Sequence, residues 1–235
     1  MSIKAVLFDL DGTLLPMDQD VFIKAYFGGL TKRLAPRGYD PQKIVEAIWT
    51  GTKAMVMNTG EKTNEEVFWD CFVAIFGEKI RDEIPVFDAF YAEDFPKVQS
   101  ACGFDARARL VIDAVKEKGL RTALATNPLF PSVATENRIA WAGLSVSDFE
   151  YFTVYENSRH CKPNLDYYRD VLDVLKLSPE ECVMVGNDVG EDMIAETLGM
   201  RVFLLTDCLI NKKNEDISRY AHGGFDELID FIKGL

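Results

Sequence analysis

The chain has 235 residues, 48% of them hydrophobic and 27% charged, enough for one large domain or for a core domain carrying a smaller insertion. Its 26 basic and 38 acidic residues leave a formal net charge of −12, which argues against a nucleic-acid backbone or an anionic membrane as the main partner. No apolar run approaches the ~20 residues of a membrane span, and the N-terminus lacks the basic and then apolar pattern of a signal peptide. Five cysteines, at 71, 102, 161, 182 and 208, include no C-x-x-C pair, so a cytoplasmic protein with reduced thiols is expected.

In chain order, residues 3–9 read as a strand that is apolar on both faces, as in the centre of a parallel sheet. It ends in Asp9, and Asp11, Gly12 and Thr13 follow in "DLDGTLLP". Residues 17 to about 100 are then aromatic-rich and helix-patterned. About four helices are expected there and no strand. One is "DPQKIVEAIWTGTKAMV", with Asp40 as N-cap and Pro41 at the first helical position, and another is "NEEVFWDCFVAIF". From residue 103 strands and helices alternate. "ARLVIDAVKEKGL" reads as a helix stopped by Gly119, "RTALAT" as a strand and "PSVATENRIAWAGL" as a helix ending at Gly143. "YFTVYE" reads as a further strand and "LDYYRDVLDVLKL" as a helix. "ECVMVGND" is the next strand, "GEDMIAETLGM" a helix, "RVFLLTD" a strand and "GFDELIDFIKGL" the closing helix. Alternation of this kind predicts an α/β fold, a right-handed parallel sheet flanked by helices, with the helical stretch inserted after the first strand.

Ligands of open parallel sheets bind beyond the carboxyl ends of the strands. The polar residues there are Asp9 and Asp11, Thr126 and Asn127, and Asn187 and Asp188, with Asp192 about one turn further on; Lys162 lies between in "SRHCKPN". Taken singly each has an ordinary reading, as a strand-end turn, a solvated lysine or a first-turn helix aspartate. Together, several carboxylates at one sheet edge need neutralising charge, and a hard divalent cation such as Mg²⁺ takes oxygen ligands of this kind.

"DLDGTLLP", "ATN", "CKPN" and "VGNDVGED" resemble, in order and rough spacing, the four signature motifs of the haloacid dehalogenase-like hydrolases. The resemblance covers residues 1–16 and about 103–235, and the insertion resembles the family's helical cap. It implies a Rossmann-like core of residues 1–16 and 99–235, with an all-helical cap of 17–98 that closes over the site and sets substrate choice. It implies a Mg²⁺-dependent phosphatase acting on a small phosphorylated metabolite. Asp9 resembles the nucleophile that becomes an aspartyl-phosphate. Asp11 resembles the general acid that protonates the leaving oxygen and then the base that activates water. Thr126 and the amide of Asn127 resemble the phosphate-binding groups, and Lys162 the cation that steadies nucleophile and phosphoryl charge. Metal ligands are implied at Asp9, at the backbone carbonyl of Asp11, and at the acidic motif of Asp188 and Asp192.

One departure stands out. Many relatives carry an acid directly after the motif glycine, where this chain has Asn187. Either Asp188 swings in or Asn187 ligates through its amide oxygen, and Asp188 is the expected ligand because a carboxylate holds Mg²⁺ better. A phosphomutase shares every motif, and a non-catalytic binding protein keeping the fold is a further alternative. A dehalogenase fits less well, because Asp11 would have no leaving oxygen to protonate. His160 and His222 have no metal-ligand spacing, and nothing activates Cys161. The aromatic residues Tyr26, Phe27, Trp49, Phe68, Trp69 and Phe72 read as cap core rather than as a substrate cage.

Overall fold

Ala5–Phe8 form β1, four apolar residues with no exposed surface on either face. In this computed structural model, which describes residues 2–235, the chain leaves β1 for an all-helical insertion before it returns to the sheet. The insertion contains α1 (Gln19–Leu34), α2 (Pro41–Val56), α3 (Asn64–Phe76) and α4 (Ile84–Ala89), the last continuing through irregular turns to Ala101. Local chemistry sets these boundaries. The Asp40 side chain accepts a hydrogen bond from the Lys43 amide ahead of Pro41 (2.9 Å), and Thr63 and Glu66 close a reciprocal capping box at the start of α3.

The rest of the chain supplies α5 (Arg107–Glu117), β2 (Arg121–Leu124), α6 (Ser132–Trp141), β3 (Tyr151–Phe152), α7 (Leu165–Leu175), β4 (Cys182–Gly186), β5 (Arg201–Leu205), β6 (Ala221–Gly223) and α8 (Phe225–Lys233). Among the described residues the six strands form one sheet, β3-β2-β1-β4-β5-β6, with every neighbouring pair parallel. The α/β class and the helical insertion therefore stand as expected. Phe8 is level with Leu124 of β2 and with Val185 of β4, so the three central strands end together. The chain winds outward from β1 through β2 and β3, then outward the other way through β4 to β6. That reversal opens a crevice beyond the ends of β1, β2 and β4.

The two-residue period of the strands divides the core. Val6, Phe8, Val183 and Val185 face α5, α6 and α8, and Ala5, Leu7, Cys182 and Met184 face α7. The first face runs on into the insertion. Phe95 stacks on Trp141 of α6 at 5.2 Å, and Tyr26 meets Phe130 edge-on at 5.4 Å. Such aromatic pairs are worth about 0.5–1.5 kcal/mol each beyond their buried area. Polar ties add to this seam: the backbone amides of Asn64 and Glu65 donate to the carbonyls of Ser158 and Tyr155 at 2.8 and 2.9 Å.

Three elements depart from the sequence pattern. The strand expected across "YFTVYE" is two residues long, because the Val154 amide turns aside to the Asn157 side chain (2.9 Å) on an edge strand with a single neighbour. The helix expected from Gly190 begins only at Met193, as a short 3₁₀ turn. Its would-be first turn is a loop in which Asp188 Oδ1 accepts from the amides of Gly190 and Glu191 (2.7 and 3.0 Å), side-chain bonds that compete with the helix. β6 carries no apolar run in "AHG" and forms by pairing with β5.

At the β3 edge, Asp148 is nearly buried and accepts from Arg109 and Lys116, each at 2.6 Å, and from the Ser145 amide at 2.8 Å. Burial alone would raise its carboxyl; the Arg109 and Lys116 hydrogen bonds outweigh that and bring it down to about 2 from the ordinary 3.8. A carboxylate depressed in the folded state stabilises the fold above its ordinary value, and that contribution is lost as pH falls through the folded value. Asp148→Asn should cost about 1–2 kcal/mol at neutral pH, allowing for solvent screening of two half-exposed cations. Thermal melts should show the gap between wild type and variant closing between pH 3.8 and about 2.

Candidate active site

Asp9 is the first residue past β1, and a cation waits for it. The Lys162 ammonium, 1% exposed, donates to Asp9 Oδ1 at 2.9 Å and to Asp192 Oδ1 at 2.6 Å. Burial works against the lysine's charge, but the Asp192 and Asp9 carboxylates outweigh it and hold its pKa well above the ordinary value. Burial in turn pushes the Asp192 carboxyl up to about 7, against the pull of Lys162. The second oxygen of Asp9 faces the Thr13 hydroxyl at 3.2 Å. With one donor on each oxygen, the Asp9 carboxylate is fixed in orientation.

The Thr13 hydroxyl also reaches the amide oxygen of Asn187 at 3.1 Å, and its one proton serves the two acceptors by turns. Asn187 is buried, and its amide nitrogen donates to the Cys208 carbonyl at 2.7 Å, which leaves its oxygen turned toward Thr13. Asp188, the expected ligand, lies at the same strand end. Its Oδ1 is taken by the turn amides described above, and its own amide donates to Asp192 Oδ2 at 3.0 Å.

Asp11 turns away from Lys162 and pairs with the Arg138 guanidinium on α6, a fully buried side chain. The guanidinium also donates to the Thr135 hydroxyl (3.1 Å) and lies over the Phe130 ring, 4.6 Å from its centre. Burial raises the Asp11 carboxyl above the usual range; Arg138 opposes that and the Asp9 charge adds to it. Asp11 Oδ1 is buried without a hydrogen-bond partner among the described residues. Past β2, the Thr126 carbonyl is pinned by the Thr153 and Tyr167 hydroxyls at 2.6 and 2.8 Å. The Asn127 amide donates to Glu191 at 3.0 Å. Burial raises the Glu191 carboxyl as well.

Except for Lys162, which supports the floor, all the residues expected from the sequence line one cavity of about 370 Å³ between sheet edge and insertion. Its opposite wall is aromatic. Tyr26, Phe68 and Trp69 are buried in the helical core as expected and also line the cavity, whereas Phe72 only packs; Phe27 and Trp49 line it while staying partly exposed. Arg138 and Glu191 escaped the sequence reading. Arg138 left a signal, a charge four residues from Ala134 on the apolar stripe of an amphipathic helix; Glu191 sits between two motif acids and left none.

The donors fit a hard divalent cation. Among the described residues no three acidic, histidine or cysteine side chains converge as a ready-made cage, and Lys162 stands between Asp9 and Asp192. Mg²⁺ does not require such a cage, because it commonly keeps several waters and uses one or two carboxylates together with substrate phosphate oxygens. Asp9, Asn187, Asp188 and Asp192 all bring oxygen atoms to the cavity, and the buried Asp11 oxygen lacks a donor there.

A parallel sheet wound both ways from a central strand, with acidic residues at its switch point and a helical insertion above them, defines the class of this protein. The model of the haloacid dehalogenase-like hydrolases matches residues 3–195, and the chain belongs to that family. It is 26% identical over 214 residues to a Caldanaerobacter subterraneus subsp. tengcongensis protein named for pyrophosphatase activity, PpaX, covering 86% of this chain and 80% of that one. It is 24% identical over 201 residues to a phosphoglycolate phosphatase of Aquifex aeolicus, with 86% and 84% covered. The crystal structure of a phosphatase of this family from Thermococcus onnurineus superposes with a TM-score of 0.62 at 17% identity, over 99% of both chains. Among the described residues no helix is long and apolar enough to cross a membrane.

Gly12 makes the turn that brings Asp11 round, with φ at 83°, and a Cβ there would run into the buried Asn187 amide. Gly12→Ala should cost about 1–2 kcal/mol for the left-handed backbone alone, with more from the displaced Asn187. A melting temperature lowered by several degrees, and hydrolytic activity lowered more than stability, is the expected outcome; an unchanged melt would show that the turn tolerates a side chain.

Proposed function

We propose that the protein is a Mg²⁺-dependent phosphomonoesterase acting on a small metabolite through an aspartyl-phosphate on Asp9. The observation that carries this is the buried ion-paired arrangement of Asp9, Lys162 and Asp192 at the floor of a cavity, with a second carboxyl of raised pKa, Asp11, two residues from the first. The names of the curated relatives support hydrolysis of phosphate compounds.

In this reading an Asp9 oxygen attacks phosphorus and forms an O–P bond as the ester O–P bond breaks. Lys162 holds Asp9 in orientation, and its charge offsets what develops on the phosphoryl oxygens. Asp11, whose carboxyl burial pushes above its ordinary range, gives its proton to the departing alcohol oxygen. Water then attacks phosphorus, Asp11 takes its proton, and phosphate leaves with Asp9 restored. Thr126 and Asn127 bind the phosphoryl oxygens from the β2 side. Arg138 is a positioning residue that sets where the Asp11 carboxyl rests between these steps. The cation, held by Asp9, the Asp11 carbonyl, Asp192 and either Asn187 or Asp188, would neutralise phosphate charge when bound. What favours Asn187 is its oxygen one hydroxyl away from Asp9, whereas an oxygen of Asp188 is spent on its own turn. Residues 17–98 act as the cap that covers the cavity, and their aromatic wall leaves space for a metabolite rather than for a folded phosphoprotein.

Asp9→Asn should abolish Mg²⁺-dependent turnover of 4-nitrophenyl phosphate. Asp11→Asn should still form some phosphoenzyme with this good leaving group, trapped by acid quench. Near-normal steady-state turnover by Asp9→Asn would end the nucleophile assignment.

Saturating Mg²⁺ at a hundredfold over its Kd should stabilise the fold by about 2.7 kcal/mol. At roughly 2–4 °C per kcal/mol for a chain of this size, the melt should rise by several degrees. Asn187→Ala should lose most of that rise and Asp188→Asn, whose amide oxygen still caps the turn, should keep most of it. Melts with Mg²⁺ and with chelator decide, the opposite pattern assigning the ligand to Asp188.

A further inference from the structure

The far end of the cavity differs in chemistry from its floor. The cap side is walled by Phe22, Tyr26, Phe27, Trp49, Trp69 and Tyr91. Trp49 is 49% exposed and lines the cavity, its indole set edge-on to Phe27 at 66° with ring centres 5.5 Å apart. Trp69 is 95% buried by contrast, with the Tyr155 hydroxyl beside its indole N–H.

Charge at this end is negative. Asp88 lines the cavity, and Glu65 and Glu156 stand close by around Tyr155. Burial and the neighbouring Asp88 charge raise the Glu65 carboxyl, and burial with Glu65 among its charged neighbours raises Glu156. Among the described residues the one cation lining the cavity is Lys212, an exposed side chain on the loop after β5. The nearby buried cations, Lys162 and Arg138, are already engaged by Asp9, Asp192 and Asp11. A carboxylate or second phosphate on the leaving group would enter an apolar wall edged with carboxylates, without a buried cation to meet it. A flat ring would gain stacking surface on Trp49 and Phe27.

We propose that the protein selects phosphomonoesters whose alcohol part is a flat, apolar group carrying no negative charge. This rests on the phosphatase reading above and narrows it to a substrate class. About 370 Å³ lies within the range of roughly 300–1,000 Å³ that small-molecule sites occupy.

The experiment compares 1-naphthyl phosphate, phosphoglycolate and pyrophosphate with Mg²⁺ as substrates of the wild-type protein. The aryl ester should have the highest kcat/KM by about tenfold or more, the size of one good aromatic contact. Phosphoglycolate or pyrophosphate turned over as well or better would overturn the proposal. Trp49→Ala, at a half-exposed site, should raise KM for the naphthyl ester more than for phosphoglycolate. Asp88→Lys, also exposed, should improve phosphoglycolate relative to the aryl ester; equal effects on both substrates in the two variants would count against the proposal. Calorimetric binding to Asp9→Asn separates selectivity from chemistry. Tighter binding of 1-naphthyl phosphate than of phosphoglycolate sustains the selectivity even if the wild type hydrolyses none of the esters, in which case the phosphatase reading alone fails. Equal or reversed affinities overturn the selectivity whatever the turnover.

Discussion

Burying Lys162 between Asp9 and Asp192 is the constraint around which the rest of the molecule is arranged. Removing an ammonium and two carboxylates from water costs several kcal/mol per ion, and their mutual attraction offsets this only when all partners are in place. The central strands supply the required rigidity. β1 and β4 are apolar throughout and end level, so Asp9 and the loop carrying Asp192 leave the sheet side by side. Lys162 approaches from the connection before α7 and rests near the Tyr167 ring, whose hydroxyl pins the Thr126 carbonyl. One buried charge therefore ties together the ends of β1, β2 and β4. A protein seeking stability alone would do as well with apolar groups there. Retaining the charges points to chemistry.

A second buried cation repeats the device one step away. Arg138 lies on the buried face of α6 beside Thr135, among Ala134, Ile139 and Trp141, and it holds Asp11 apart from the Asp9 and Lys162 pair. Two aspartates two residues apart thus occupy unlike surroundings: one is clamped by a lysine and a threonine, the other faces an arginine and has an unpartnered oxygen. Unlike surroundings give two chemically identical groups different partners and different charge around them, which is what the proposed separate nucleophile and acid roles ask for.

The insertion closes the cavity using the material that also builds its own core. Tyr26 and Phe95 touch Phe130, and Phe95 stacks on Trp141, so cap and sheet layers share one apolar cluster. The polar floor and aromatic roof then enclose a space whose two ends differ in chemistry. The floor concentrates charge, and the roof offers stacking surface with little positive charge.

The sequence by itself determined the parts governed by near neighbours. The apolar runs that end in Asp9, Thr126 and Asn187 set the strands, the capping residues Asp40 and Thr63 set helix starts, and the four motifs lay at strand ends where a parallel sheet collects them. Only the tertiary structure decided which groups meet. Lys162 reaches Asp9 across 153 positions and Arg138 reaches Asp11 across 127, contacts to which no local propensity responds. The loop at 188–192 shows the same limit: its residues have a helical pattern, but Asp192 is drawn under Gly186 and onto Lys162, and Asp188 captures the amides a helix would have used. The aromatic residues of the insertion were legible as core because periodicity reports burial. That several of them also face a cavity depends on how two layers pack, and periodicity along one chain segment does not carry that information.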